Sequence, residues 1–227
     1  MSKLVLLPGK ERSLFKRHPW VFAGSVGRLD GRARPGDTVE VVSDSGEFMA
    51  RASYSPDSQI RARVWSFDTN ETIDHGFFKR RVASAVARRR AIPELTTQQG
   101  LRLIHAESDG LPGVIADLYD DTLVIQLTSA GAEKWRGALV DALKIATNCA
   151  RIYERSDSDV RGLEGLEPVV GWLVGEPPTT PIVIRENGVA MAIDVEDGHK
   201  TGFYLDQREN RDRKSTRLNS SHANVSR

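Results

Sequence analysis

Residues 38–67 read TVEVVSDSGEFMARASYSPDSQIRARVWSF, a stretch that contains three predicted β-strands separated by turn residues. Two of them, at residues 38–42 and 48–54, flank Asp44-Ser45-Gly46, which is a hairpin signature. The third, at residues 59–67, alternates Ile60, Ala62, Val64 and Ser66 with Arg61, Arg63, Trp65 and Phe67. Short strands with turn residues between them and almost no helix predict a small β-barrel that ends near Phe67.

The rest of the chain changes its hydrophobic period after this barrel. Before it, residues 3–7 alternate weakly as a strand and residues 11–16 allow one or two helical turns. After it, residues 75–91 carry apolar side chains at helical spacing until Pro93. Further strands at 114–118, 122–128 and 151–154 surround a helix over 132–147, and residues 182–195 form a hairpin that turns at Asn187-Gly188. The sequence therefore predicts an α+β / α/β protein with a barrel followed by an α/β domain.

Length and composition set the limits of function. The 227 residues are 39% hydrophobic, which is enough for the cores of two modest domains. The longest apolar run, at residues 169–174, is far shorter than a membrane span, and the N-terminus lacks the apolar region of a signal peptide. The sequence therefore predicts a cytoplasmic protein with no membrane partner. The single cysteine, Cys149, excludes an internal disulfide and a multi-thiolate metal site, and no metal site is predicted.

The formal net charge of +1 is unevenly distributed along the chain. Residues 1–90 carry 17 Lys/Arg and 10 Asp/Glu, whereas residues 91–213 carry 12 Lys/Arg and 21 Asp/Glu. A basic surface at the N-terminal end favours a polyanion, and nucleic acid is the commonest one in the cytoplasm. The alternative is that these charges are spread over solvated faces without a partner.

A basic segment before the barrel strands contains the first candidate binding residues. Lysines and arginines can pair with phosphates there, and Trp20 can stack on a base. The alternative is that Trp20 and Phe22 are ordinary core residues of the barrel. The predicted RNA-binding residues are Lys10, Arg12, Lys16, Arg17, His18 and Trp20, together with Arg61 and Arg63 on the third strand of the opening stretch.

Four segments of the chain resemble one known family. They are RHPWVFAG at 17–24, ASYSPDSQIRARV at 52–64, ESDGLPG at 107–113 and GHKTGFYLDQR at 198–208, of which the last is the most specific. In this order they resemble the bacterial 23S (large-subunit) ribosomal RNA cytosine-5 methyltransferases, and the resemblance covers residues 1–213. It implies ribosomal RNA as the partner and S-adenosylmethionine as the cofactor, and it is compatible with a homodimer.

The resemblance also implies an order of domains. It predicts a PUA-type RNA-binding β-barrel at 1–67, a helical connector at 68–92 and a central α/β domain at 93–205. Residues 206–213 would begin a Rossmann-like class I methyltransferase domain, which we expect to be absent. Residues 214–227 depart from the family abruptly and lack apolar periodicity, so we expect a non-native disordered tail. A natural disordered tail is the alternative.

The resemblance assigns the cofactor site to the last motif. Gly202 would permit close approach of the backbone, and Phe203 or Tyr204 would pack against the cofactor. The alternative is that the aromatic rings pack between domains and the charges cap the next helix. Residues 107–113 are interpreted as a plain turn. The predicted cofactor-binding residues are Lys200, Thr201, Gly202, Phe203, Tyr204, Asp206, Gln207 and Arg208.

No catalytic residue is predicted in this chain. In the reaction that the resemblance implies, a cysteine thiolate attacks C6 of cytosine and makes C5 nucleophilic toward the sulfonium methyl group. Cys149 lies between a helix and a strand without the Asp-Pro-Pro segment of the family, and it is interpreted as a structural thiol. Two hypotheses follow: an N-terminal portion of an S-adenosylmethionine-dependent RNA methyltransferase, inactive as written, or a free-standing PUA-type RNA-binding adaptor without catalysis.

Overall fold

The computed structural model describes residues 1–211, and the predicted tail at 214–227 lies outside the described residues. The N-terminal part is a six-stranded sheet with one short helix. Its strands occur in the order β2-β6-β5-β4-β1-β3, with β1 and β4 parallel and the other pairs antiparallel. The elements are β1 Lys3–Leu6, α1 Arg12–Phe15, β2 Trp20–Phe22, β3 Val26–Asp30, β4 Thr38–Val42, β5 Phe48–Tyr54 and β6 Ile60–Ser66.

The predicted barrel strands are present, and the structure adds two edge strands to them. The hairpin of β4 and β5 has the predicted bounds and turns at the predicted Asp-Ser-Gly. The strands β2 and β3 were not predicted, because both are short or largely exposed and carry little hydrophobic alternation. The core beneath the sheet contains Leu4, Leu6, Leu14, Val21, Val39, Val41, Met49, Ala50, Ala52, Ala62 and Val64.

A five-stranded mixed sheet forms the second layer, in the order β11-β10-β9-β8-β7. Only β9 and β10 are parallel, and the two helices α3 and α4 connect them. A separate hairpin, β12 with β13, turns at the predicted Asn-Gly. The bounds are α2 His75–Arg90, β7 Gly100–His105, β8 Val114–Tyr119, β9 Thr122–Leu127, α3 Ala130–Lys134, α4 Arg136–Thr147, β10 Arg151–Ser156, β11 Val169–Val174, β12 Ile182–Glu186 and β13 Val189–Ile193.

The helix that was predicted to be continuous over 132–147 is two helices. The Ser129 side chain accepts a hydrogen bond from the backbone N–H of Ala132 and starts α3. The chain then leaves helical geometry at Trp135, whose backbone angles are φ −95° and ψ 14°, and α4 begins at the next residue. The side-chain period alone does not show this break, because Trp135 remains on the apolar stripe and packs against Phe78.

Different elements pack against the two faces of the five-stranded sheet. Helices α2 and α4 pack together on one face, so that the helix predicted as a connector contributes Phe77, Phe78 and Val82 to the core. The hairpin β12–β13 covers the other face through Ile184 and Ile193. No helix in residues 1–211 combines the length and the apolar character that crossing a membrane requires.

The second face of strand β6 joins the barrel to the α/β domain. Trp65 packs edge-on against Phe78 with ring centroids 5.2 Å apart, and Arg63 binds Glu164 across 2.7 Å. Helix α3 approaches so closely that a β-carbon on Gly131 would clash with the side chains of Ser53 and Trp65. Both faces of β6 are therefore buried, which its alternating sequence does not indicate.

Candidate functional site

The predicted RNA-binding segment forms an open groove on the barrel surface. Arg12, Lys16, Arg17 and His18 are exposed, and with Ser13 and Pro19 they line a groove of about 600 Å³. Lys10 is also exposed, immediately before this segment. The short helix α1 buries Leu14 in the barrel and thereby directs its basic residues outward. The structure thus brings the basic side chains predicted before β2 onto one surface.

Trp20 is half-buried beside this groove and already has partners. Its indole N–H donates to Oε1 of Glu107 across 2.8 Å, and the Arg63 guanidinium lies 5.8 Å from a ring centroid of Trp20. His18 contacts Trp20 edge-on, and Phe22 is 47% exposed. Stacking of Trp20 on a base stays a prediction, and Phe22 is the more accessible aromatic ring of the two.

The structure does not support Arg63 as an RNA-binding residue. Arg63 is 6% exposed, and its guanidinium binds Glu164, which also accepts hydrogen bonds from Ser55 and the backbone N–H of Ala130. The alternation of β6 placed Arg63 on a solvent face, but the α/β domain covers that face. Arg61, on the same side of the strand in the sequence pattern, is only half-buried and stays a candidate.

The predicted cofactor loop is folded against the five-stranded sheet through Thr201. This residue is 1% exposed, and its hydroxyl donates to Oδ2 of Asp117 across 2.6 Å and lies 2.8 Å from the hydroxyl of Tyr119. Asp117 in turn accepts two hydrogen bonds of 2.8 Å from Arg102. The bond to Asp117 raises the pKa of Arg102, and burial raises the pKa of Tyr119. Thr201 was predicted to contact the cofactor, but its buried side chain instead anchors the loop to the sheet.

Gly202 allows close approach of the protein's own backbone, whereas the predicted close approach of a cofactor stays a prediction. Its φ of +124° is strained for other residues, and a β-carbon there would lie 2.9 Å from the carbonyl oxygen of Asp194. Arg155 donates to the carbonyl of Gly198 at the start of the same loop. These contacts fix the loop between the sheet and the segment after β13.

Four predicted side chains of this loop remain available to a ligand. Lys200 and Asp206 are exposed and form an ion pair of 3.0 Å, which lowers the pKa of Asp206. Tyr204 is 40% exposed, and the Lys200 ammonium lies 4.7 Å from its ring centroid. Gln207 is also exposed and donates to Asp206. Phe203 is half-buried against Ile184 and Ile193 of the β12–β13 hairpin, so it packs within the α/β domain and not between domains as the alternative predicted.

Arg208 is held by the protein at the other end of the loop. Its guanidinium donates to the carbonyl of Gly100 across 2.6 Å and lies 3.4 Å from Glu186. Arg211 binds both carboxylate oxygens of Glu186, at 2.7 and 2.8 Å. Burial opposes ionisation of Glu186, but hydrogen bonds and charges from Arg211 and Arg208 outweigh it and lower the pKa. This latch ties residues 208–211 to strand β12.

A cleft of about 320 Å³ opens beside the loop. Strand β7 contributes Arg102 and His105 to its wall, helix α2 contributes Arg89, and the loop contributes Lys200 and Asp206. The remaining lining residues are Leu95, Leu101, Phe203, Leu205 and Arg208. Sequence reasoning did not place α2 or β7 at this site, since residues about 100 positions apart reveal no proximity by periodicity.

The segment at 107–113, interpreted as a plain turn, makes side-chain contacts with the barrel and with helix α2. It contains a short 3-10 helix, Ala106–Asp109, that ends at Gly110 in the left-handed region. Glu107 accepts from Trp20, and Asp109 binds both Arg88 and Arg89. Burial opposes ionisation of Asp109, but Arg89, the backbone N–H of His105 and Arg88 lower its pKa. The acidic residues Glu107 and Asp109, which lie before and within the Asp-Gly turn, were the available signal.

Cys149 is a buried free thiol, in agreement with its interpretation as structural. It is 8% exposed and packs in the core beneath α4. Burial raises the pKa of its thiol above the ordinary value, although Thr147 opposes that shift. A raised pKa leaves little thiolate near neutral pH, so Cys149 is a poor nucleophile.

Residues 4–67 match the family model described as a PUA-like domain. Over 213 residues the chain is 52% identical to the ribosomal RNA large subunit methyltransferase I of Shewanella frigidimarina, covering 92% of this chain and 53% of that protein. The corresponding Klebsiella pneumoniae protein is 50% identical over 210 residues, with 92% and 52% covered. The chain thus spans about half the length of the curated relatives it matches.

Solved structures show the same fold at low sequence identity. A candidate SAM-dependent methyltransferase from Streptococcus mutans superposes with a TM-score of 0.76 at 21% identity, covering 94% of this chain and 54% of that one. A candidate methyltransferase solved in complex with SAH gives the same TM-score and identity. The barrel and the α/β domain therefore share the fold of about half of each of these proteins, and residues 4–67 form the PUA-like part.

Proposed function

We propose that the described residues supply RNA binding and one wall of the cofactor site in an S-adenosylmethionine-dependent methyltransferase of large-subunit ribosomal RNA. The supporting observation is the loop at 198–208, which Thr201 and Gly202 hold against the sheet while Lys200, Tyr204 and Asp206 stay exposed beside the cleft. The names of the relatives that are about 50% identical support the same assignment.

The groove on the barrel is the proposed RNA surface. Arg12, Lys16 and Arg17 present exposed cations on a surface that has no carboxylate among its lining residues. Such cations bind phosphates without reading sequence and give a salt-dependent affinity. The PUA-like match of residues 4–67 supports RNA as the ligand of this part.

The exposed loop side chains suit a nucleoside cofactor. The Asp206 carboxylate can accept hydrogen bonds from hydroxyl or amine groups, and the Tyr204 ring offers an aromatic face. S-adenosylmethionine, when bound, supplies an electrophilic sulfonium methyl group. The loop residues would bind and orient that molecule, while the latch of Arg208, Arg211 and Glu186 keeps the loop in place.

The proposed target is C5 of cytosine, which requires a thiolate nucleophile. Cys149 is the single cysteine of the chain, and its burial and raised pKa make it unsuitable. We therefore propose that the nucleophile belongs to the part of the relatives that this chain does not match, and that the 227-residue chain alone transfers no methyl group.

A chimera tests the enzyme assignment. Residues 1–211 would be joined to the part of the Shewanella frigidimarina relative that follows the matched region, and labelled methyl transfer to unmodified large-subunit ribosomal RNA would be measured. We expect transfer, with Asp206→Asn and Tyr204→Leu raising KM for S-adenosylmethionine and Glu209→Gln, an exposed neighbour, leaving it unchanged. A folded chimera that binds RNA but transfers no methyl group would contradict the proposal.

A free-standing RNA-binding adaptor is the second candidate, and the groove favours it as much as it favours the enzyme. The two differ in the loop, because an adaptor has no use for an anchored cofactor wall. Amide exchange of residues 198–211 in the chimera, measured with and without S-adenosylmethionine, separates them. Added protection supports the enzyme, and no change supports the adaptor. A homodimer stays a prediction.

A further inference from the structure

Three consecutive arginines end helix α2 next to the cleft beside the loop. Successive helical residues are about 100° apart, so Arg88 and Arg90 lie on either side of Arg89. Arg88 and Arg90 are exposed, while Arg89 turns inward and lines the cleft. Asp109 binds Arg88 and Arg89. With three arginines and the single carboxylate of Asp109, this cluster carries a net charge of +2.

A chain of contacts connects this cluster to the barrel, and one of its arginines lines the cleft on the loop side. On the barrel side, Trp20 donates to Glu107, which shares a single 3-10 turn with Asp109, the partner of Arg88 and Arg89. On the loop side, Arg89 lines the same cleft as Lys200 and Arg208. The groove, the end of α2 and the loop are therefore adjacent parts of one surface, although the sequence separates them widely.

We propose that an RNA strand follows this surface, with its phosphates on the groove, then on Arg88 and Arg90, and then beside Lys200. This basic track assigns Arg88 and Arg90 as RNA-binding residues. It rests on the proposed function, because it takes RNA as the ligand of the groove and the loop as the place of the chemistry. The track gives RNA a route from the barrel to the loop.

Helix electrostatics alone do not explain the arrangement. Cations in the last turn of a helix interact favourably with its dipole, and one or two of them suffice for that purpose. Arg89 already lies in the last turn of α2 and forms a bidentate ion pair with Asp109. Arg88 keeps 54% of its side chain exposed despite its bond to Asp109, and Arg90 is exposed as well.

A charge-matched pair of variants tests the track. The double variant Arg88→Gln and Arg90→Gln removes two cations, and Lys79→Gln with Arg80→Gln removes two from the first part of the same helix. Affinity of the full chain for an unmodified transcript of large-subunit ribosomal RNA would be measured over a series of salt concentrations. We expect the first pair to lower the magnitude of the slope of log affinity against log salt concentration by about 1.4 to 1.8. Each phosphate contact contributes about 0.7 to 0.9 to that slope. The control pair should leave the slope unchanged.

Tethered cleavage tests the direction of the strand. In a Cys149→Ala background, an iron chelate that generates hydroxyl radicals would be attached through Ser13→Cys, Ala91→Cys or Gln207→Cys, each at an exposed position. We expect the three cleavage centres on the bound RNA to appear in that order along one strand. If Cys149→Ala lowers stability, the salt-slope comparison still decides the proposal.

The possible results separate this inference from the function on which it rests. If the full chain binds no ribosomal RNA, the proposed function fails. If it binds, and groove variants weaken binding while the Arg88 and Arg90 variants match the control pair, the track is wrong and the proposed function survives. Cleavage from Ser13 alone, with none from positions 91 or 207, would also overturn the track.

Discussion

The hydroxyl of Thr201 donates to a carboxylate oxygen of Asp117 across 2.6 Å, and this bond joins the loop at 198–208 to the middle of strand β8. Asp117 is fully buried and also binds Arg102, so its charge is compensated by a cation and a hydroxyl. A polar contact inside the α/β domain therefore helps to fix the position of the loop, in addition to the packing of Phe203.

Replacement of Thr201 by valine should loosen this loop. Valine keeps the shape of threonine but removes the hydroxyl that Asp117 and Tyr119 share, which leaves buried polar groups unsatisfied at a cost of about 1–3 kcal/mol. Amide exchange of residues 198–207 should accelerate, and the midpoint of urea unfolding should fall. Thr201→Ser, which retains the hydroxyl, should stay close to the wild type. Equal exchange in all three proteins would show that Thr201 does not anchor the loop.

Removal of the Arg63 side chain should destabilise the protein much more than removal of its neighbour. Arg63→Ala leaves Glu164 as an uncompensated charge that is 1% exposed, which typically costs about 3–5 kcal/mol. Arg61→Ala should change the free energy of unfolding by about 0.5 kcal/mol or less. Urea unfolding of the two variants gives the comparison. If Arg63→Ala lost RNA affinity without losing stability, the original assignment of Arg63 to RNA binding would be restored.

The latch at Glu186 should respond to acid. Because its pKa is lowered in the folded protein, ionised Glu186 contributes stability above its unfolded pKa, about 4.3, and loses that contribution as pH falls through the folded value. The stability difference between the wild type and Glu186→Gln should therefore be constant from pH 5 to 7 and shrink below about pH 4. The variant serves as the reference, because Asp109 titrates in both proteins. A difference that persists at pH 3 would contradict the prediction.

The thiol of Cys149 should be unreactive in the folded protein. Burial limits access and raises its pKa, so alkylation by iodoacetamide at pH 7 should be slow. The same reaction in denaturing urea should proceed at the rate of a free cysteine, which provides the control. Rapid alkylation of the folded chain would indicate an accessible thiolate and reopen a catalytic role for Cys149.

Sequence patterns predicted most strands and helices but little of how the two parts meet. The hairpin turns at Asp44-Ser45-Gly46 and Asn187-Gly188 follow from local backbone preferences, and both are present. Strands β7 and β11 were missed as strands, and they are the two edge strands of the five-stranded sheet. Period counting cannot show that a second domain covers Arg63 and Trp65, because that contact joins distant parts of the chain.

The sequence likewise indicated part of the candidate site and missed the rest. The motif at 198–208 contributes residues to the wall of the cleft, and the exposed Lys200, Tyr204, Asp206 and Gln207 stay candidates. The roles of Thr201 and Arg208 were not predictable, because their partners lie about 80 to 110 residues away. Tertiary contacts decide whether a polar side chain serves a ligand or the fold.

The buried junction of Arg63 and Trp65 with the α/β domain fixes the distance between two surfaces of the protein. Because an ion pair and an aromatic contact fix the barrel to that domain, the groove at α1 and the loop at 198–208 keep a constant separation. An RNA that engages both must present its two points of contact at that spacing. Under the proposed function, the distance between these two surfaces would therefore limit which RNAs bind, in addition to their charge.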